Sequence, residues 1–263
     1  MDDLEREYSP SSRAGGSAEP HVARYRRESQ QAAASLGGRV LPTAGGSLVV
    51  PAAAEGAPLL VFVHGGYWQL LSAAESLFLA TGSVAEGWSF AAIEYTIAPE
   101  GTVGAMVDEV GVELAAVVGM VPQPSMVVVV GHSAGAHLAA MAALVRPARV
   151  RVDRVVLVSG VYDLRPLLAT SVNDPLGLDA ATAAALSPQL LPVTGGPDVV
   201  VAWGDDDTDA FRAQSRAYAE HLRAAGAAVT ELECVARHHF DVIDDVARRR
   251  TRLGELTLAP LSP

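Results

Sequence analysis

The 263-residue chain has one cysteine, no lysine and few aromatics: three Trp, six Tyr and five Phe. The lone Cys234 excludes a disulfide framework and fits a reducing compartment. All 19 basic residues are Arg, set against 30 acidic ones, for a formal net charge of -11. With no basic stripe to release counterions, nucleic acid is not an expected partner. The missing lysine, beside abundant Ala, reads as a coding bias. No G-x-G-x-x-G or Walker pattern occurs, so no nucleotide cofactor is expected. There is no H-E-x-x-H and no cysteine cluster, so no metal is expected either.

Membrane and export signals are also lacking. Met1-Asp2-Asp3-Leu4-Glu5 has neither a basic n-region nor an apolar run, which points to a cytoplasmic protein. Met126 to Val145 carries no formal charge, but Gly131-His132-Ser133-Ala134-Gly135 stands in its middle. That stretch reads as strand, turn and helix rather than a membrane span.

What is present is a core. Half of the residues are hydrophobic and 19% are charged, which suits a folded α/β domain and not a disordered chain. Residues 1–20 read as an N-terminal extension, followed by a single domain over 21–263. A short basic helix is expected over His21 to Ala34 and a weak strand at Leu48-Val49-Val50. The wholly apolar run Leu59 to Val63 reads as a strand buried on both faces, and similar runs follow at Phe90 to Glu94, Met126 to Val130, Val155 to Ser159 and Val199 to Trp203. Ala228 to Cys234 is a weaker sixth. Helical patterns lie between them, at Ala73 to Glu86, Thr102 to Met120, Ala134 to Val145, Ala210 to Ala225 and Asp241 to Arg250. The alternation predicts a mostly parallel sheet with helices on both faces. The proline-rich segment 160–197 breaks the rhythm and suits a cap or lid.

Gly131-His132-Ser133-Ala134-Gly135 is G-x-S-x-G, a weak pattern alone. It follows a four-valine strand and opens an Ala-rich helix, the strand–turn–helix setting of a nucleophile elbow, with Ser133 at its tip. His64-Gly65-Gly66-Tyr67-Trp68 ends an earlier strand. Small residues there let backbone N–H groups reach a substrate oxygen, so Gly66, Tyr67 and Ala134 are the expected oxyanion donors. His64 more plausibly holds this loop than titrates. In this architecture the acid follows the nucleophile and the histidine comes last. Gly204-Asp205-Asp206-Asp207 offers the acid, Asp207 first by its G-x-x-D spacing and Asp206 second. Arg237-His238-His239-Phe240 offers the base, with His239 favoured of the pair. His137, on the helix after the elbow, reads as a buried residue.

These residues resemble the kynurenine formamidase (arylformamidase) family of α/β-hydrolases. The likeness runs from Glu5-Arg6-Glu7-Tyr8-Ser9-Pro10-Ser11 through His64 to Trp68, Tyr95-Thr96-Ile97-Ala98-Pro99 and Gly131 to Leu138. It continues with Ser159 to Leu164, Leu186-Ser187-Pro188, Phe211, Gln214-Ser215 and His239-Phe240. It covers nearly the whole chain in order. The resemblance implies Ser133 as nucleophile, Asp207 as acid four residues before Phe211, and His239 as base before Phe240. Two departures are His238, where an acidic residue often stands, and trimmed first strands between Leu36 and Pro58.

The activity implied is hydrolysis of an aryl formamide, N-formyl-L-kynurenine giving L-kynurenine and formate, without cofactor. Tyr67, Trp68 and His64 are the expected substrate-binding residues, and Arg165 is one option for the substrate's amino-acid end. Five aromatics, Tyr67, Trp68, Tyr162, Trp203 and Phe240, fall at strand ends or catalytic loops, as an aryl cleft needs. The alternatives are a short-acyl carboxylesterase and, from another class, a non-catalytic ligand-binding protein of the same fold. A homodimer is compatible with the sequence.

Overall fold

The computed structural model describes residues 3–147, 150–193 and 196–260. Eight strands form one sheet in the order β1-β2-β4-β3-β5-β6-β7-β8. They are β1 (Leu41–Pro42), β2 (Leu48–Val50), β3 (Leu59–Val63), β4 (Ser89–Ile93), β5 (Val127–His132), β6 (Arg154–Val158), β7 (Asp198–Gly204) and β8 (Val229–Cys234). The first two pair antiparallel, and every pairing from β4 across to β8 is parallel. The apolar runs thus form strands within a residue or two of their expected ends.

Because β3 lies between β4 and β5, the chain winds one way from β3 to β4 and the other way outward from β5. This reversal opens a crevice beyond the carboxyl ends of β3 and β5. Val63 pairs with Gly131, so the two strands end level there.

Strands β3 to β6 are buried along their whole length and almost wholly apolar because both faces are covered, whereas the edge strand β8 carries Thr230, Glu231 and Glu233 and is only partly buried. On one face Val61, Val63, Val127 and Val129 pack with residues of α4 (Val103–Met120), α5 (Ala134–Ala140) and α7 (Asp209–Ala224). On the other, Leu60, Phe62, Val128 and Val130 meet α2 (Glu19–Leu36), a 3-10 turn at Ala74–Leu79, α3 (Ala80–Ala85) and α8 (Arg252–Leu258). The Thr102 side chain caps α4 by accepting the Ala105 N–H. Two shorter helices complete the set, α1 (Asp3–Glu7) at the amino end and α6 (Ala180–Ala185) within the segment 160–197. Residues 194 and 195 of that segment lie outside the described residues. Among the described residues no helix is long and apolar enough to cross a membrane.

Three helices differ from expectation. Asp241 to Arg250 forms only a 3-10 turn, Val242–Asp245, and the helix comes later as α8. Here the aspartates bond outward: Asp241 accepts the His238 N–H and Asp245 takes the Arg237 guanidinium. Short carboxylates that compete for local donors disfavour a continuous helix. Ala73 to Glu86 begins as a 3-10 turn before α3, and α5 widens into a π-turn at Met141–Val145.

Helix α5 sits close against β3, because Gly135 has no side chain. A Cβ at that position would overlap the carbonyl oxygens of Val63 and His64, which are backbone atoms. Gly135→Ala is therefore expected to cost about 3 kcal/mol. Calorimetry should show this as a Tm lower by roughly 6–12 °C. An unchanged Tm would mean that α5 can slide on the sheet.

Candidate active site

The crevice is lined by loops that leave β3, β5, β6 and β8, and the loop after β7 lies directly behind the last of these. At the end of β5 the backbone of Ser133 has φ 55° and ψ -121°, a conformation rare for a side-chain-bearing residue. The turn is held because the Ser133 N–H donates to Val158 O at 2.9 Å while Ser133 O accepts the Ala136 N–H at 2.9 Å. Ser133 is buried and stands at the amino end of α5, where the helix dipole favours negative charge.

The β7 loop carries three aspartates with three different surroundings. Asp205 accepts the Arg237 N–H, and Asp206 is exposed. Asp207 is buried, with Oδ1 accepting its neighbour Thr208 N–H at 2.9 Å and Oδ2 facing His239 Nδ1 at 2.9 Å. The acid and the histidine thus meet across 32 residues of chain with both side chains out of solvent. His239 packs edge-on to Phe211 at 4.6 Å and lines the same cavity as Ser133. His238 belongs to a different cluster. Its Nδ1 accepts the Phe240 N–H at 3.1 Å, and its ring stands edge-on to His21.

After β3, three successive residues take positive φ: Gly66 (101°), Tyr67 (53°) and Trp68 (60°). The loop presses on the elbow: a Cβ on Gly65 would lie 2.8 Å from His132 O and 3.0 Å from Ser133 Cβ. The N–H groups of Gly66, Tyr67 and Ala134 donate to no backbone carbonyl among the described residues. Gly66 and Tyr67 line the cavity with Ser133, and Ala134 follows it directly in the chain.

The expected aromatic wall is only partly there. Tyr67 lines the cavity, and its hydroxyl donates to Tyr8 O. Trp68 does not; it is wholly buried in the core, edge-on to His137 at 5.2 Å. The two rings pack against each other with centroids 6.2 Å apart, Tyr67 on the cleft side and Trp68 on the interior side. His64 also lies behind the loop: its Nδ1 bonds Gly65 O at 2.9 Å and its ring stacks on Tyr95 at 4.2 Å. Tyr162 stacks on Tyr218 in the core, and Trp203 lies under Arg216. Of the five aromatics singled out, Tyr67 and Phe240 line the cavity. Arg165 is tied to Asp163 at 2.7 Å and does not line it. His137 is buried and donates to Leu186 O, and burial pushes its pKa down to about 4.

The cavity, of about 280 Å3, has walls that the sequence did not suggest. Tyr8 and Ser9 from the amino end, Val22 and Tyr25 from α2, and Ser171 and Val172 from the segment after β6 close its outer side. The amino-terminal segment is strapped on by several bonds. Glu5 accepts Ser171 N–H and Oγ–H, Glu7 O accepts Thr208 Oγ1–H at 2.6 Å, and Gln214 Nε2 donates to Tyr8 Oη at 3.0 Å. The signal for this in the sequence is the run Glu5 to Ser11, which carries part of the family likeness. Among the described residues no group of three or more His, Cys, Asp or Glu is arranged to hold a metal.

The sheet order, the elbow and the buried acid–histidine pair define an α/β-hydrolase, and residues 60–241 match a family model described as the alpha/beta hydrolase fold. A crystal structure from Silicibacter sp. TM1040, named only provisionally as a thioesterase, superposes with a TM-score of 0.86 at 27% identity. It covers 98% of this chain and 100% of that one. Kynurenine formamidase of Danio rerio is 37% identical over 213 residues, 76% of this chain and 72% of that protein. The Drosophila melanogaster kynurenine formamidase is 31% identical over 73% of this chain and 69% of its own length. The chain belongs to the kynurenine formamidase family.

Proposed function

We propose that the protein is an arylformamidase that hydrolyses N-formyl-L-kynurenine to L-kynurenine and formate. The observation that carries this is that His239, held from behind by the buried Asp207, shares a small, tyrosine-walled cavity with Ser133, in a chain of this family. His239 takes the Ser133 hydroxyl proton as Oγ attacks the formyl carbon, and Asp207 steadies the imidazolium. The N–H groups of Gly66, Tyr67 and Ala134 receive the oxyanion, where each donor is worth about 3 kcal/mol of barrier. The C–N bond breaks as His239 returns its proton to the departing aniline nitrogen. Water, deprotonated by His239, then attacks the formyl-enzyme, and formate and free Ser133 result.

A formyl group needs almost no acyl pocket, while the leaving group carries an aromatic ring. Tyr67, Tyr25 and Phe240 offer that ring an apolar surface. The single Cys234, buried, supports a reducing, cytoplasmic setting.

The test compares kcat/KM for N-formyl-L-kynurenine with that for p-nitrophenyl acetate. The formamide is expected to be preferred by about 10-fold or more, because its leaving group carries an amino-acid chain as well as a ring and so offers the cavity more to bind than nitrophenol does. A large preference for the ester would make the protein a carboxylesterase instead. Activity should survive a chelator and be lost to a fluorophosphonate; the reverse pattern would point to a metal-dependent reaction.

A further inference from the structure

His132, the variable residue of G-x-S-x-G, has no part in the reaction as written. Its surroundings are nonetheless specific. The ring is buried, lies 5.0 Å from the ring of His239, and sets Nε2 2.8 Å from His239 O. A carbonyl can only accept, so Nε2 carries the proton and Nδ1 the lone pair. Burial, and after it the charge that His239 carries when protonated, pushes His132 down to about 3, so it stays neutral while His239 works.

The next carbonyl of the same loop is held as well. Phe240 O accepts Arg24 Nη2–H at 3.1 Å and the Tyr25 hydroxyl. Two successive peptide groups of the base loop are therefore fixed by side chains from two distant elements. The reason such ties are needed lies in the sheet. The base loop leaves β8, three strands out from β5, which carries Ser133. The strand ladder alone would let twist and slack across three pairings set the span from nucleophile to base. The bond from His132 crosses that span directly, from the residue beside Ser133 to the base's own carbonyl, 107 residues away.

We infer that His132 is a positioning residue whose Nε2–H, by holding the His239 carbonyl, fixes the distance between nucleophile and base. This rests on the roles given to Ser133 and His239 above. The other end of the imidazole is held by Asp207, so the ring is constrained through both its backbone and Nδ1. An error of about 1 Å in such a constellation costs on the order of 10²-fold in rate.

The test uses side chains that carry an N–H donor at different reach. In His132→Gln the amide nitrogen sits as far along the side chain as imidazole Nε2; in His132→Asn it stops one atom short. Expected for His132→Gln is a kcat within about fivefold of wild type. For His132→Asn and His132→Leu a fall of about 100-fold in kcat is expected, with KM within about twofold. Labelling of Ser133 by a fluorophosphonate should slow in parallel, which a merely structural loss, read by Tm, would not produce. Wild-type kcat in folded His132→Asn overturns the proposal, and so does a His132→Gln that falls as far as His132→Asn. Should the variants not fold, nitrogen-15 NMR of histidine-labelled wild type decides. A neutral Nε2–H tautomer unchanged from pH 5 to 8 is expected; an Nδ1–H tautomer, or titration in that range, overturns it. If wild type neither cleaves aryl formamides nor reacts with the fluorophosphonate, it is the functional reading that fails.

Discussion

Ser133→Ala should lower kcat/KM for N-formyl-L-kynurenine by about 10⁵-fold or more and abolish fluorophosphonate labelling. The magnitude is that of losing the nucleophile where the residual rate comes only from the oxyanion donors and binding. The variant isolates chemistry from folding. The Ser133 side chain makes no capping bond to α5, so its loss strands no buried partner. The elbow is held instead by backbone, through Ser133 N–H to Val158 O and Ala136 N–H to Ser133 O, and alanine keeps both bonds. The strained φ of 55° is equally costly for either residue. Tm should stay within about 2 °C of wild type, a surface-scale change. Residual activity above about 1% would show that another group attacks the formyl carbon.

Much of this architecture was legible because its signals are local. Leu59–Val63 is apolar at every position since both faces of β3 are covered, and the sequence records that directly. The elbow is likewise local: strand, Ser133 and helix are contiguous. Asp207 is harder. Three consecutive aspartates differ only in what lies across the fold, and it is His239, 32 residues on, that distinguishes them. Spacing ranked Asp207 first and left Asp206 open, while the family likeness pointed the same way. Contacts between remote segments left no trace to read. Tyr25 bonds Phe240 O across 215 residues, and nothing in the basic face of α2 announced that it braces the base loop. Trp68 misled for a related reason. The Tyr67 and Trp68 rings are neighbours with centroids 6.2 Å apart, yet only the first reaches the cavity and the second is wholly buried behind it. His132 occupies the free position of its motif in sequence; its role depends on a carbonyl 107 residues away.

Asp207→Asn should lower kcat by about 10⁴-fold with the fold intact. The argument turns on which atom of the amide faces the histidine. Asp207 Oδ1 accepts the Thr208 N–H at 2.9 Å, and Oδ2 faces His239 Nδ1 at 2.9 Å. An asparagine must keep an oxygen toward Thr208, since an N–H donor opposed to its NH2 would leave two buried donors facing each other. That orientation sets the NH2 toward His239 Nδ1, which then has to accept. The proton of the neutral imidazole moves to Nε2, the nitrogen that should receive the Ser133 proton, and the base is blocked. The carboxylate that stabilised the imidazolium is gone as well. Asp207→Asn should therefore lose kcat far more than it raises KM, because substrate touches neither atom. His239→Ala, with no base at all, should lose at least as much. Pairing the two gives the decisive measurement: the double variant should be no slower than the worse single one by more than a few-fold, since acid and base act as one unit. Independent, multiplying losses would show that Asp207 does not work through His239.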